Sequence, residues 1–454
     1  MPQQRIGISA WIYLAIAGLG LLDAFVHLPH LVPVTAALIV LFILLQFKEI
    51  LPTQKIAGAV LILIGLIGAS ASEDWAGVVI DGIARSRVFL LLFFAISWLQ
   101  FPVSQSPSMQ AVQKTIVSQP PGQRYVYMFW GVHILGSVLN LAGLSLLTPI
   151  VERQQNPRLR RSFTITIMNG FGSASCWSPF FIGMAVTLVA LPILSWRDIG
   201  PLGMILALVI MATGWIYDRL VFRRSLPSEP ALSPVPISKL DFWRATAILS
   251  SLVALAIMIV ETTGTSIPVT LALIGPPFAM IWYGSIGPKG TGFLHRAKNL
   301  AVSVMHRLPT LRNEVLLFVA AYILGVGVSI AIPSQDVAAL VNAVLPGTDA
   351  KIAALILFFL ITSMMGLHPV VLIISLSSIL SPEAIGIRDW VMGLIFVGVW
   401  GLCTVISPFS GMTLYMSRIT GVPAHIIAWR WMLPTSFLSG AMIAVTIIAL
   451  RHLF

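Results

Sequence analysis

Apolar segments long enough to cross a bilayer recur along the whole chain, among them residues 56–68 lengthened by flanking small residues, 202–217 and 267–282. No large soluble domain fits between them. Hydrophobic residues make up 57% of the chain and charged residues 9%, a balance that a soluble domain of this length could not hide from water. The pattern predicts an all-α polytopic membrane protein. Residues 6–26 lack a strongly basic leading region and a small-residue cleavage site, and more spans follow, so this stretch is expected to be retained as a helix.

Charge then sets orientation. The 27 Lys+Arg exceed the 16 Asp+Glu by 11, but the basic residues sit in loops between spans, where they report topology rather than nucleic-acid binding. Cys176 and Cys403 both lie in apolar segments, which indicates neither a disulfide framework nor a metal site. No cofactor is expected beyond a coupling ion, H+ or Na+, and the partners are the bilayer and a small solute.

A pattern Gly-x-x-[Ser/Thr]-x-x-Ser-Pro-Phe occurs twice, as Gly172, Ser175, Ser178, Pro179, Phe180 and as Gly401, Thr404, Ser407, Pro408, Phe409. The two copies stand 229 positions apart, 178 to 407. Three further landmarks keep a similar offset: "PVTAALI" at Pro33 with "PVTLALI" at Pro268, Arg85 with Arg312, and Trp196, Arg197, Pro201 with Trp429, Arg430, Pro434. Four landmarks in one order argue for an internal duplication. It divides the chain into a first repeat, 1–222, a polar and proline-rich cytoplasmic linker, 223–244, and a second repeat, 245–454.

Residues 125–149 are apolar, interrupted at "GSVLNLAGLS" and flanked on both sides by arginines, which predicts a re-entrant hairpin rather than a span. Its counterpart is 352–382, interrupted at "MMGLHPVV". Proline removes a backbone donor and clashes one turn back, so Pro179 and Pro408 should break helices over 162–190 and 390–417 near mid-depth. With cytoplasmic loops near Lys48, Arg158 and Arg296, the expected topology is about eleven spans and two hairpins in two inverted repeats. The N-terminus would lie inside and the membrane would be a bacterial-type cytoplasmic (inner) membrane. Residues 56–68 supply the extra crossing that inverts the second repeat, and "HRAKNLAVSVMHRLP" reads as an amphipathic interfacial helix. "GPKGTG" from Gly287 reads as a cytoplasmic turn.

Broken helices in inverted repeats are how membrane transporters hold a solute near the bilayer centre. The four segments 125–149, 162–184, 354–382 and 390–417 contain no Asp or Glu, which favours an anionic or neutral solute. Hydroxyls, the Asn140 amide and the half-helix N-termini after Pro179 and Pro408 can all stabilise negative charge. His133 and His368 are the titratable imidazoles of these segments and the candidates for proton coupling. Trp177 is placed to wall the site.

Two repeats with hairpins, broken helices and a "P-x-x-x-A-L" segment resemble the ion transporter superfamily, which includes divalent anion/sodium symporters, citrate carriers, arsenite permeases and sodium/proton antiporters. The resemblance implies an elevator mechanism, a homodimer, and binding positions at the hairpin tips (Asn140, Ser145, His368) and at the breaks (Ser175, Ser178, Thr404, Ser407, Ser410). Neither tip carries the Ser-Asn-Thr triplet of the divalent anion symporters. The expected function is ion-coupled transport of a small carboxylate or oxyanion. A sodium/proton antiporter and a membrane subunit of a multi-component transporter are the alternatives. An enzyme is disfavoured, because H-E-x-x-H, G-x-S-x-G and acidic pairs within a span are all missing.

Overall fold

The computed structural model describes residues 6–26, 28–119, 121–222, 235–286 and 291–454. The first half gives α1 (Ile8–Val26), α2 (Leu31–Gln46), α3 (Pro52–Ala69), α4 (Trp75–Arg85), α5 (Arg87–Gln105), α6 (Pro107–Val117), α7 (Pro121–Leu139), α8 (Leu141–Leu147), α9 (Pro149–Glu152), α10 (Pro157–Ser173), α11 (Ile182–Ala190) and α12 (Trp196–Val221). The second gives α13 (Lys239–Thr263), α14 (Ile267–Ile286), α15 (Phe293–Arg307), α16 (Arg312–Ala331), α17 (Ser334–Val344), α18 (Thr348–Met364), α19 (Pro369–Ile379), α20 (Asp389–Ile406), α21 (Gly411–Thr420), the single turn α22 (Ala424–Ile426) and α23 (Leu433–Leu453).

Local chemistry sets several starts. Pro52 and Pro157 open α3 and α10 at positions where the missing N–H costs nothing, and Asn156 Oδ1 accepts from the N–H groups of Arg158 and Leu159. Ser195 and Asp198 form a reciprocal cap on α12. Ser238 accepts from Asp241 N at 3.0 Å. That cap starts α13 at Lys239, so the end of the expected linker is helical, while residues 223–234 lie outside the described residues, as do 287–290 of the "GPKGTG" turn.

Among the described residues nine helical segments are long and apolar enough to cross a membrane, or ten if the pair α17 and α18, bent by 108°, counts as one. Two of the eleven expected spans are not among the nine: α5, and the broken pair α10 and α11, which at 17 and 9 residues are too short to be counted singly.

The helices group into two compact units that cut across the two sequence halves. Unit 1 comprises residues 1–107, 247–334 and 374–379; unit 2 comprises 108–246, 335–373 and 380–454. In unit 1, α3 packs along α16. A Cβ on Gly58 would meet Leu316, one on Gly65 the backbone of Ile323 and Leu324, and one on Gly68 the backbone of Gly327. Positions advance together on both helices, so they run in the same sense, held close by the glycine face of α3. The segment that had no sequence partner therefore has a packing partner. Asp23 and Arg87 form an ion pair in the same unit.

In unit 2, α10 crosses α20 with the two glycines of the repeated pattern in contact. A Cβ on Gly172 would lie 3.2 Å from Gly401 O, and one on Gly401 would overlap the Gly172 backbone. Ser175, one turn further along, donates to Val397 O, one turn back, so the helices run in opposite senses. Helix α12 packs along α23.

Residues 125–149 turn back on themselves: Gly143 on α8 lies against Leu135 and Gly136 of α7, and Gly131 faces Leu147. Segment 352–382 differs from expectation. It breaks at Gly366, whose φ is +103°, but among the described residues α18 and α19 do not pack along each other. The stretches "ILFFLITSMM" and "PVVLIISL" have bulky side chains where the first hairpin has glycines. The last turns of α19 belong to unit 1, where Ser378 and Ile374 come within 3.1 Å of a Cβ built on Gly325.

The crossing gives a stability test. Gly401→Ala inserts a methyl into the Gly172 backbone and should cost about 1–3 kcal/mol, whereas Gly411→Ala meets open space. Thermal unfolding of the purified protein in detergent should show a lowered midpoint for the first variant alone. Equal midpoints would mean that the helices do not touch there.

Candidate functional site

Each Ser-Pro-Phe element interrupts its helix as proline requires. Helix α10 tightens through a turn at Ala174–Cys176, opens at Trp177 and resumes as α11 at Ile182; α20 ends at Ile406 and α21 begins at Gly411. The carbonyls and N–H groups released at each break then need partners, because the bilayer core offers no water.

At the first break the hairpin tip supplies them. Asn140 Nδ2 donates to Phe180 O at 3.1 Å. Ser178 Oγ donates to Ser137 O at 2.5 Å and accepts from Phe180 N at 3.2 Å. Asn140 takes a φ of +54°, and no other described non-glycine residue has a positive φ. At the second break the seal is local. Thr413 Oγ1 donates to Thr404 O and Val405 O at 3.3 and 3.4 Å, and Ser410 Oγ donates to Thr413 Oγ1 and caps Thr413 N. The second tip meets this break through an aromatic ring, since a Cβ on Gly366 would lie 2.7 Å from Phe409.

The structure thus brings Asn140, Ser175, Ser178 and Pro179 together around the first break and Thr404, Ser407, Pro408 and Ser410 around the second. Both sets lie in unit 2 and flank the Gly172–Gly401 contact. Ser175, Ser178, Ser407 and Ser410 are buried. Their roles differ from simple solute donors: Ser175, Ser178, Thr404 and Ser410 already donate within the protein. Uncapped backbone N–H groups remain. The first turn of α11, after Phe181, has no side-chain cap and presents the positive end of a helix. Ser145 is exposed, its carbonyl accepting from Thr148 Oγ1.

The two histidines occupy different surroundings. The His133 ring stacks with Phe129 and Trp177. Trp177 Nε1 donates to His133 Nε2 at 2.9 Å, and an indole N–H can only donate, so Nε2 holds its lone pair; Nδ1 then donates to Ser173 Oγ, also at 2.9 Å. Both nitrogens are engaged in the neutral ring. His368 Nδ1 accepts from Val370 N at 3.2 Å, capping α19, and its ring stands edge-on to Trp400 with centroids 5.7 Å apart. Trp400 in turn covers Gly183 in the first turn of α11, which links the second tip to the first break.

Sequence reasoning missed a polar column beside this site. Ser162, Thr166, Asn169 and Ser173 recur on one face of α10 and are buried. Ser162 Oγ donates to Asp218 Oδ1 of α12 at 2.5 Å. The Asn169 amide and Tyr125 hydroxyl, both buried, face the bare Cα of Gly214. The i, i+4, i+7, i+11 spacing of the α10 residues was a legible signal. Asp218 was not, because it reaches α10 from another helix. The four acid-free segments therefore do not keep carboxylates away from the broken helix.

Comparison with known proteins adds the fold. No protein-family model matches the chain, and no curated protein sequence does. Solved structures do. Neisseria gonorrhoeae MtrF, described as illuminating a class of antimetabolite efflux pumps, superposes with a TM-score of 0.52 over 79% of either chain at 13% identity. The Alcanivorax borkumensis YdaH transporter, described as having an unusual topology, superposes with a TM-score of 0.54 over 81% of this chain and 86% of its own at 10% identity. The chain shares the fold of these two proteins. These two neighbours stand where the sequence pattern had suggested divalent anion symporters, citrate carriers or arsenite permeases. At such identities the likeness is one of fold, and a fold alone names no solute.

The strained tip offers a test. A Cβ at φ near +54° costs about 1–3 kcal/mol unless the surroundings compensate. Asn140→Ala keeps that strain and loses the bond to Phe180 O, while Asn140→Gly loses the bond and relieves the strain. Thermal melts should rank wild type above the Gly variant and the Gly variant above Ala. Equal Ala and Gly midpoints would show that the tip relaxes.

Proposed function

We propose that this protein is a secondary active transporter of a small anionic solute, a carboxylate or an oxyanion, working by alternating access and coupled to protons or sodium. The observation that carries this reading is the pair of Ser-Pro-Phe breaks on opposed helices either side of the Gly172–Gly401 contact. Helix ends at such breaks offer unpaired N–H groups to an anion, and the uncapped first turn of α11 is the best placed. The opposed senses of α10 and α20 support inverted repeats. A unit that holds both breaks and the first hairpin, distinct from a unit built on α3 and α16, supports an elevator of the kind found in the ion transporter superfamily, working as a homodimer. The neighbours MtrF and YdaH, named as an efflux pump and a transporter, favour transport over enzymatic function and bring export into consideration alongside import.

One observation favours a second reading. Asp218 places a buried carboxylate against Ser162 of the broken helix, and a membrane carboxylate is the usual means of carrying a proton or sodium ion. A sodium/proton antiporter of the same fold is therefore the alternative.

Proteoliposomes separate the two. Saturable movement of one labelled anion from a panel, under independently imposed proton and sodium gradients, supports the first reading and names the coupling ion. Sodium-driven proton movement with no anion transported supports the second. Ser178→Ala with Ser407→Ala should reduce transport by at least tenfold while the protein still inserts; undiminished transport would rule out the two-sided site. Charging His368 would displace Val370 N–H from Nδ1 and loosen the first turn of α19, so His368→Gln should flatten the pH profile of transport if this residue carries the proton. An unchanged profile excludes it.

A further inference from the structure

Helix α15 belongs to no broken span and no hairpin. With α16 it forms a segment of 39 residues, Phe293–Ala331. At 1.5 Å per residue that is about 58 Å, twice the roughly 30 Å of a bilayer's hydrocarbon core. With α16 spanning the membrane, α15, which precedes it across the 3-10 turn at Leu308–Leu311, extends beyond the hydrocarbon core. Its buried residues, Leu300, Val304 and Met305, face unit 1, where α15 packs with α14, α5 and α1.

The rest of the helix is basic. Helix α15 carries His295, Arg296, Lys298, His306 and Arg307, and no acidic residue occurs between Glu261 and Glu314. Lys298, His306 and Arg307 are exposed. A second chain segment joins them, because Arg312 Nε donates to Glu49 O at 2.8 Å and Leu51 N donates to Asn313 Oδ1 at 3.0 Å, bringing the exposed Lys48 to the same end of unit 1. Two carboxylates lie nearby: Glu49 is 3.9 Å from Arg312, and Glu314 feels the positive charge of Arg307 and Arg312. Beside the cations stand exposed apolar side chains, Leu294 at 81% and Phe293 at 46%.

We propose that α15 and the Lys48 turn bind the phosphate headgroups of anionic phospholipids and hold unit 1 at the membrane interface. A phospholipid answers both features of this surface, phosphate for the cations and acyl chain for Leu294 and Phe293. An acidic protein segment answers only the first.

The test uses the full-length protein in detergent, titrated by native mass spectrometry with phosphatidylglycerol and with phosphatidylcholine. Phosphatidylglycerol should bind several-fold more tightly, weaken as salt rises, and resist displacement by inorganic phosphate. Lys48→Gln with Lys298→Gln and Arg307→Gln should weaken it by roughly fivefold per cation removed, leaving phosphatidylcholine binding unchanged. Equal affinity for the two lipids, salt-independent binding, displacement by inorganic phosphate or an unaffected triple variant would each overturn the proposal. If the triple variant cannot be purified, Lys298→Gln alone and the wild-type salt series still decide it.

Discussion

Two helices can bring their backbones into contact where a glycine removes the side chain between them, and in unit 2 both sides of one crossing are glycines, Gly172 and Gly401. Much of the unit follows from this contact. It fixes α10 against α20 in opposed senses, and because each glycine stands six residues before a serine-proline pair, it sets both breaks at matched distances from the crossing. Unit 1 uses the same device for another end. Gly58, Gly65 and Gly68 seat α3 along α16 over most of its length, which makes a long rigid pair rather than a crossing point.

Breaking a helix inside a bilayer exposes backbone that water cannot satisfy. The protein meets that cost in two ways. At the first break a neighbouring element does the work, Asn140 and Ser137 on the hairpin bonding Phe180 and Ser178. At the second, Thr413 and Ser410 on the same helix close the gap themselves. The two breaks, alike in sequence, are thereby unequal mechanically. Movement of the first hairpin disturbs the first break, whereas the second break keeps its own seal. Hydroxyls that looked like solute donors are largely taken up in this sealing, which leaves helix ends as the main source of positive potential for an anion.

The halves diverge further around their tips. Gly143 lets α8 fold back closely on the α7 backbone at Leu135 and Gly136. Helices α18 and α19 do not pack along each other, and α19 passes from unit 2 into unit 1. His368 keeps its place at the second tip, against Trp400, while His133 is sequestered between Trp177 and Ser173.

The sequence by itself determined the membrane class, the two proline breaks, the hairpin at Asn140 and the amphipathic character of α15. Each of these is set by local composition: apolar length, a missing N–H, a glycine, or the spacing of charges along one helix. The offset between the two Ser-Pro-Phe elements also singled out Gly172 and Gly401 before any contact was known. Only the tertiary structure decided that these glycines touch, that α3 pairs with α16, that Asp218 reaches Ser162, and that the compact units cut across the sequence halves. Such pairings depend on which helix faces are small enough to approach each other. That complementarity belongs to two distant segments at once, and neither segment expresses it alone.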